Sequence, residues 1–114
     1  MIRAVLYRGA DGQFTGYSAQ GHSDYAEEGY DIVCAAVSVL GVTCANSLES
    51  VCGIMPEVLA NDSGILHFRL PSPISPQAMR DAQILFGFLH QGLKDVAEQF
   101  PQDVNLSIQD WRKK

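Results

Sequence analysis

Hydrophobic and polar positions alternate in five short segments of the chain, and this period of two predicts β-strands. The segments are residues 2–8, 14–20, 56–60 and 65–70, followed by the alternating Val104, Leu106 and Ile108. Residues 9–12 and 61–64, which separate the first two and the next two segments, are rich in the turn residues Gly, Asp and Asn. The first four strands are therefore predicted to form two hairpins.

A longer apolar run follows the first hairpin and predicts a helix. Residues 32–52 are rich in Ala, Val and Leu, with Asp31 before them as an N-cap and Gly53 directly after them as a C-terminal stop. The bracketed segment predicts one helix of roughly 30 Å. Residues 21–30, which precede it, have no period and carry glycines at both ends, so they are predicted to form a loop.

A second helix is predicted after Ser75, an N-cap, and Pro76, a residue favoured at the first helical position. Its apolar face is marked by leucines at spacings of four, and Pro101 ends it. The element order is then β-β-α-β-β-α-β. Because the strands come in pairs, we expect the α+β class, with a mostly antiparallel sheet and two helices packed on one face.

Size and composition narrow the class of protein further. A chain of 114 residues is expected to form a single domain, residues 1–114, and its 46% hydrophobic residues suit one packed core. The apolar stretch 32–45 is interrupted by Ser38, Gly41 and Thr43, so we predict that it is too short to span a membrane. Met1-Ile2-Arg3 leads directly into the first predicted strand, so we expect no secretory leader. Eight scattered Lys and Arg residues and a net charge of −5 argue against direct binding of nucleic acid.

The number and spacing of the cysteines indicate a reducing cellular compartment and argue against a metal site. Cys34, Cys44 and Cys52 are an odd number without a secretory context, which favours free thiols in a reducing cytoplasm. At 100° per residue the three point in different directions, and neither His67 nor His90 has a ligand partner at a suitable spacing. We therefore expect neither a metal nor a cofactor.

The candidate chemistry lies at the start of the first predicted helix. Cys34 falls in its first turn, where unpaired backbone amides and the helix dipole favour a thiolate. The loop after the first hairpin could return His22 to the same place, so that the imidazole takes the proton from the thiol. The free amides could also hold an oxyanion. By residue type alone, a buried core cysteine remains the more frequent alternative for Cys34.

Four further residues are candidates for supporting roles. Asp31 is interpreted as the helix cap, with orientation of the histidine as a second possibility. Ser38 lies one turn after Cys34, so its hydroxyl either approaches the site or bonds back to the carbonyl of residue 34. Gly21 and Gly29 resemble hinges of a lid over the site, although an ordinary loop would also carry them.

The residues at this site resemble a known signature. Gly21-His22, a loop of about eight residues containing a glycine, and Asp31-Ile32-Val33-Cys34-Ala35-Ala36-Val37-Ser38 are similar to the motif of the bacterial ribosomal-processing cysteine proteases, the Prp family. The likeness in length and element order extends over the whole chain. It implies that His22 and Cys34 form a catalytic pair.

The same resemblance implies a substrate and a setting. Such an enzyme removes a short N-terminal extension from a large-subunit ribosomal protein, cleaving after an aromatic residue that is followed by basic residues. It is expected to be a cytoplasmic homodimer without a metal. Two alternatives stay open at this point: a non-catalytic binding module of ribosome assembly, and a thiol redox sensor that uses Cys34.

Overall fold

The computed structural model describes residues 1–21, 32–62 and 64–110. These residues form five strands and two helices in the predicted order. The strands are β1 (Ile2–Arg8), β2 (Phe14–Gly21), β3 (Glu57–Asp62), β4 (Ile65–Arg69) and β5 (Val104–Asp110), and the helices are α1 (Ile32–Ser50) and α2 (Pro76–Gln99). The predicted α+β class is confirmed.

Two predicted ends were wrong by two residues, and each has a local cause. Several other ends differ by one residue; Gly21, which was predicted to begin the loop, is the last residue of β2. Helix α1 ends at Ser50 rather than at residue 52, because the Cys52 amide bonds to the Ser47 carbonyl and Gly53 adopts a positive φ of 69°. Strand β3 extends through residues 61 and 62, which were predicted as a turn, because Asp62 pairs directly with Ile65 of β4. The hairpin turn is therefore shorter than the turn-forming residues indicated.

The sheet has the order β3-β4-β2-β1-β5. Three of its four strand pairs are antiparallel, as predicted, and β1 also pairs in parallel with β5. Ile2 therefore lies between Gly21 of β2 and Val104 of β5. Strand β3 forms one edge of the sheet, beyond β4.

The core lies between one face of the sheet and both helices. Leu6, Tyr17 and Phe68 are neighbours across β1, β2 and β4, and all three side chains are fully buried. The two helices contribute a further row of buried positions, namely Val33, Val37, Cys44 and Leu48 of α1 and Ala82, Phe86, Leu89 and Leu93 of α2. Side chains alternate across a strand, so the opposite face of the sheet carries Arg3, Tyr7 and His67 instead.

Helix α2 begins as the sequence predicts. The Ser75 hydroxyl accepts a hydrogen bond from the Ala78 amide at 3.1 Å, and Pro76 occupies the first helical position. Such a cap typically contributes about 1 kcal/mol to the free energy of unfolding. Further along, Gly92 of α2 allows close approach of α1, because a Cβ there would lie 2.7 Å from Cδ2 of Leu40.

Helix α1 is more apolar than its interrupted sequence indicated. Over its 19 residues it has a mean hydropathy of 1.6, and by length and composition alone it is sufficient to cross a bilayer. The apolar stretch 32–45, which we predicted to be too short to span a membrane, forms the first part of this helix. In the structure, one face of α1 packs on the sheet and several apolar residues of its outer face are exposed.

Candidate active site

Cys34 occupies the third position of α1 and is half-buried. This is the first-turn position that the sequence predicted. The amide groups of a first helical turn have no acceptor within the helix, and the helix dipole makes this end positive. A thiolate or an oxyanion is therefore favoured in this location.

Beside Cys34 lies a cleft of about 190 Å³. One wall is the flank of α1, from Cys34 through Ser38 to Val42, and the sheet contributes Ala19 and Leu66. The β3–β4 hairpin closes the opposite side; its lining residues are Asn61, Asp62, Gly64 and Ile65. The cleft is partly open to solvent, and Cys34 is one of its lining residues.

Gly21 ends β2 at the rim of this cleft. Its φ is +103°, a backbone conformation that L side chains rarely adopt. A Cβ at this position would collide with the carbonyl oxygen of Met1, and the Gly21 amide donates a hydrogen bond to the Gly64 carbonyl at 2.9 Å. The chain can therefore leave β2 in this direction only with glycine here.

The predicted site residues are described only in part. Cys34, Ser38 and Gly21 all line the same cleft, so the structure brings these three together. His22, Gly29 and Asp31 lie outside the described residues. The roles of all six site residues stay predictions: the catalytic pair His22 and Cys34, the supporting residues Asp31 and Ser38, and the hinges Gly21 and Gly29.

The other two cysteines have environments that oppose ionisation. Burial, with a smaller contribution from Cys52, raises the pKa of the Cys44 thiol to about 12. Partial burial and the Asp81 carboxylate raise the pKa of Cys52 as well. Raised pKa values leave both groups as thiols at neutral pH. Both also have a packing role, since Cys44 belongs to the buried core and Cys52 packs against it.

The remaining described histidines, His67 and His90, are not among the residues that line the cleft. His67 lies on β4, where its ring contacts Tyr7 with centroids 5.7 Å apart, and burial followed by the charge of Arg69 lowers its pKa. The ring of His90 on α2 lies 6.2 Å from that of Phe14. Among residues 1–21, 32–62 and 64–110, no group of three or more His, Cys, Asp or Glu side chains has a metal-binding arrangement.

Several cleft residues were not singled out from the sequence. Val42 is one of them, although its spacing of eight from Cys34, with Ser38 between, places all three on one flank of α1. This spacing in the sequence could have identified Val42 as a cleft residue. No sequence pattern could have identified Asn61 and Leu66, because only the pairing of β3, β4 and β2 brings them close to the start of α1.

A partly exposed thiol in the first turn of a helix, at the mouth of a peptide-sized cleft, can attack a carbonyl carbon while nearby amides hold the resulting oxyanion. Such an arrangement suits an enzyme that hydrolyses an acyl bond through a cysteine. A family model described as "Cysteine protease Prp" matches residues 1–105. The chain therefore belongs to the Prp family of cysteine proteases.

Relatives and solved structures agree with this assignment. The ribosomal processing cysteine protease Prp of Bacillus subtilis is 26% identical over 108 residues, which cover 94% of this chain and 96% of that protein. Its counterpart in Staphylococcus aureus Mu50 is also 26% identical, with 94% and 98% covered. A crystal structure from Streptococcus mutans is 29% identical, covers 97% of this chain and 96% of its own, and has a TM-score of 0.80.

The same fold is found in a structure solved with a peptide. The S. aureus ribosomal processing protease Prp, in complex with a covalently linked product peptide, has a TM-score of 0.83, with 95% of this chain and 99% of that one covered at 24% identity. Membership of a protease family favours the enzyme over the two alternatives, a non-catalytic binding module and a redox sensor.

Proposed function

We propose that this protein is an endopeptidase that removes the N-terminal extension of a large-subunit ribosomal protein, with Cys34 as nucleophile and His22 as base. The observation that carries the proposal is the position of Cys34, which lies in the first turn of α1 and in the lining of the open cleft. The named relatives, which are ribosomal processing proteases, support the substrate.

The proposed reaction has two stages. In the first, His22 takes the proton of the Cys34 thiol, and the sulfur attacks the scissile carbonyl carbon. The oxyanion is held by amides of the first turn of α1, and collapse of the intermediate expels the amine, which receives its proton from His22. In the second, His22 deprotonates a water molecule, which attacks the thioester and releases the acyl product and the thiol. Ser38, one turn further along the cleft, is proposed to contact the peptide or the catalytic pair.

Charge supports a basic substrate. The net charge of −5 attracts the positively charged N-terminal region of a ribosomal protein and steers its approach at low ionic strength. The chain itself is proposed to make no direct contact with nucleic acid. The reaction of the proposed pair requires no cofactor.

The test is cleavage of a synthetic peptide that spans the N-terminal segment of the large-subunit ribosomal protein from the same organism, followed by mass spectrometry. We expect one cut by the wild-type protein and none by Cys34→Ala, whereas the matched control Cys52→Ala retains the rate. His22→Ala is expected to lose most of the activity with an unchanged circular dichroism spectrum. Cleavage by Cys34→Ala at the wild-type rate would contradict the assignment of the nucleophile.

We further propose that the protein is a cytoplasmic homodimer. Free thiols at Cys44 and Cys52 suit a reducing compartment. On the outer face of α2, Ile84 and Phe88 are one turn apart and 73% and 72% exposed. Large apolar side chains that are exposed together mark an interaction surface, which supports a dimer contact on this helix.

A further inference from the structure

The flank of α1 that begins with Cys34 continues along the cleft for two further turns. Cys34, Ser38 and Val42 are spaced by four residues, and all three line the cleft. A rise of 1.5 Å per residue places Val42 about 12 Å beyond Cys34 along the helix axis. The cleft therefore reaches well beyond the atoms that take part in peptide-bond cleavage.

Apolar side chains form part of the cleft wall along this distance. On α1 the lining includes Val37 and Ser38 and, one turn after Ser38, the apolar residue Val42. Val42 remains 43% exposed, although it is a large aliphatic residue. Leu66, which also lines the cleft from the sheet, is packed against the core. Val42 and Leu66 are therefore two of the aliphatic residues that border the cleft.

An extended peptide covers about 3.3 Å per residue, so 12 Å corresponds to three or four residues. With its scissile carbonyl at Cys34, a peptide that follows the α1 flank brings a side chain three or four positions away to Val42. An aliphatic or aromatic side chain there would remove apolar surface of both partners from water.

We propose that Val42 is a specificity-determining residue, which selects an apolar substrate side chain three or four positions from the scissile bond. This inference rests on the proposed role of Cys34, because that residue sets the position of the scissile carbonyl. Val42 takes no part in bond cleavage; its contribution is to the binding of the peptide.

Val39 provides a matched control on the same helix. It is 63% exposed and is absent from the lining of the cleft. At 100° per residue, a separation of three positions turns it away from Val42 by about 60°, further from the flank that carries Cys34. Val→Thr is close to isosteric and keeps the β-branch, so both substitutions change polarity while the helix is retained.

The experiment measures peptide binding by titration calorimetry in Cys34→Ala, with Val42→Thr or Val39→Thr added. The probe is the N-terminal segment of the ribosomal protein, with each apolar residue within four positions of the scissile bond replaced singly by serine. In Cys34→Ala we expect one replacement, three or four positions from the scissile bond, to weaken binding about tenfold. With Val42→Thr added, the same replacement should cost no more than two- to threefold, whereas with Val39→Thr the tenfold loss should remain.

The outcomes separate the two proposals. Three results would overturn the role of Val42. The serine replacement could weaken binding equally in all three backgrounds, Val42→Thr could alter only the effect of a replacement next to the scissile bond, or the peptide could fail to bind. Cleavage by Cys34→Ala would overturn the nucleophile. Binding is measured independently of turnover, so the two proposals can fail separately. If Cys34→Ala does not cleave the peptide, and the serine replacement weakens binding equally with and without Val42→Thr, the proposed function is retained and only the role of Val42 is rejected.

Discussion

Gly41 of α1 lies directly over the ring of Tyr17 in β2: a Cβ on Gly41 would be 2.9 Å from Cε2 of Tyr17 and 3.0 Å from Cδ2 of Leu66. Glycine is unfavourable inside a helix by about 1 kcal/mol relative to alanine. Its presence here allows α1 to approach the sheet closely at the side where the cleft lies. Gly41 therefore contacts both the buried ring of Tyr17 and Leu66, which lines the cleft.

Gly41→Ala is expected to lower the free energy of unfolding by about 1–2 kcal/mol, because overpacking of the Tyr17 ring outweighs the gain in helix propensity. Gly87→Ala in α2 is the control, since a Cβ there meets nothing within 4 Å, and it should stabilise the protein by up to about 1 kcal/mol. Urea denaturation of both variants measures the difference. Equal stabilisation by the two alanines would contradict the close approach.

Tyr17→Phe is expected to stabilise the protein by about 1 kcal/mol. The Tyr17 hydroxyl is buried, and it has no hydrogen-bond partner among the described residues, so its removal relieves a desolvation cost. Tyr7→Phe should instead destabilise by about 1 kcal/mol, because the Tyr7 hydroxyl bonds to Oγ of Ser18 at 3.0 Å. Thermal and urea unfolding of the pair would reveal the opposite signs, and a loss of stability in both variants would be inconsistent with an unpaired Tyr17 hydroxyl.

Alkylation by iodoacetamide at pH 7 is expected to modify Cys34 first. The thiolate is the reacting form, and first-turn amides favour it at Cys34. The raised pKa values of Cys44, to about 12, and of Cys52 keep both residues protonated at that pH. Their modification should be slower than that of Cys34 and should rise steadily with pH, because the thiolate fraction of a group grows continuously below its pKa. Peptide mapping by mass spectrometry gives the three rates, and equal rates at pH 7 would remove the argument for an activated Cys34.

Gly21→Ala is expected to destabilise the protein by about 2 kcal/mol or more and to abolish peptide cleavage. A side chain there is disfavoured by the positive φ and also meets the Met1 carbonyl. Gly12→Ala separates the two causes, because Gly12 has a φ of +84° but a Cβ there has no neighbour within 4 Å. Gly12→Ala should cost only about 1 kcal/mol and retain cleavage. The same loss of stability in both variants would mean that the contact with Met1 is unimportant.

Phe88→Glu is expected to convert the proposed dimer into a monomer, because a charge at the centre of an apolar contact is not compensated there. Light scattering should then report a mass near 12.4 kDa instead of twice that value. Met55→Glu, at an exposed apolar residue between α1 and β3, is the control and should leave the mass unchanged. A wild-type protein that is monomeric at micromolar concentration would refute the dimer itself.

Local spacing in the sequence was sufficient for the elements and for the position of Cys34. The periods of two and 3.6, the Ser75 cap and the placement of Cys34 in the first turn of α1 depend on residues close together in the chain, and the structure agrees with all of them. Local signals failed where long-range pairing overrode them. The turn residues Asn61 and Asp62 became part of β3 because β4 pairs with them.

Tertiary structure alone decided the strand order and the composition of the cleft. The parallel pairing of Ile2 with Val104 joins residues about one hundred positions apart, and no periodicity encodes such a partner. Leu66 likewise reaches the neighbourhood of Cys34 and Val42 only because β4 lies beside β2 beneath α1. The physical reason is that a reactive group can be placed by the backbone of one helix, whereas a binding surface is built from side chains of elements that meet only when the whole sheet has assembled.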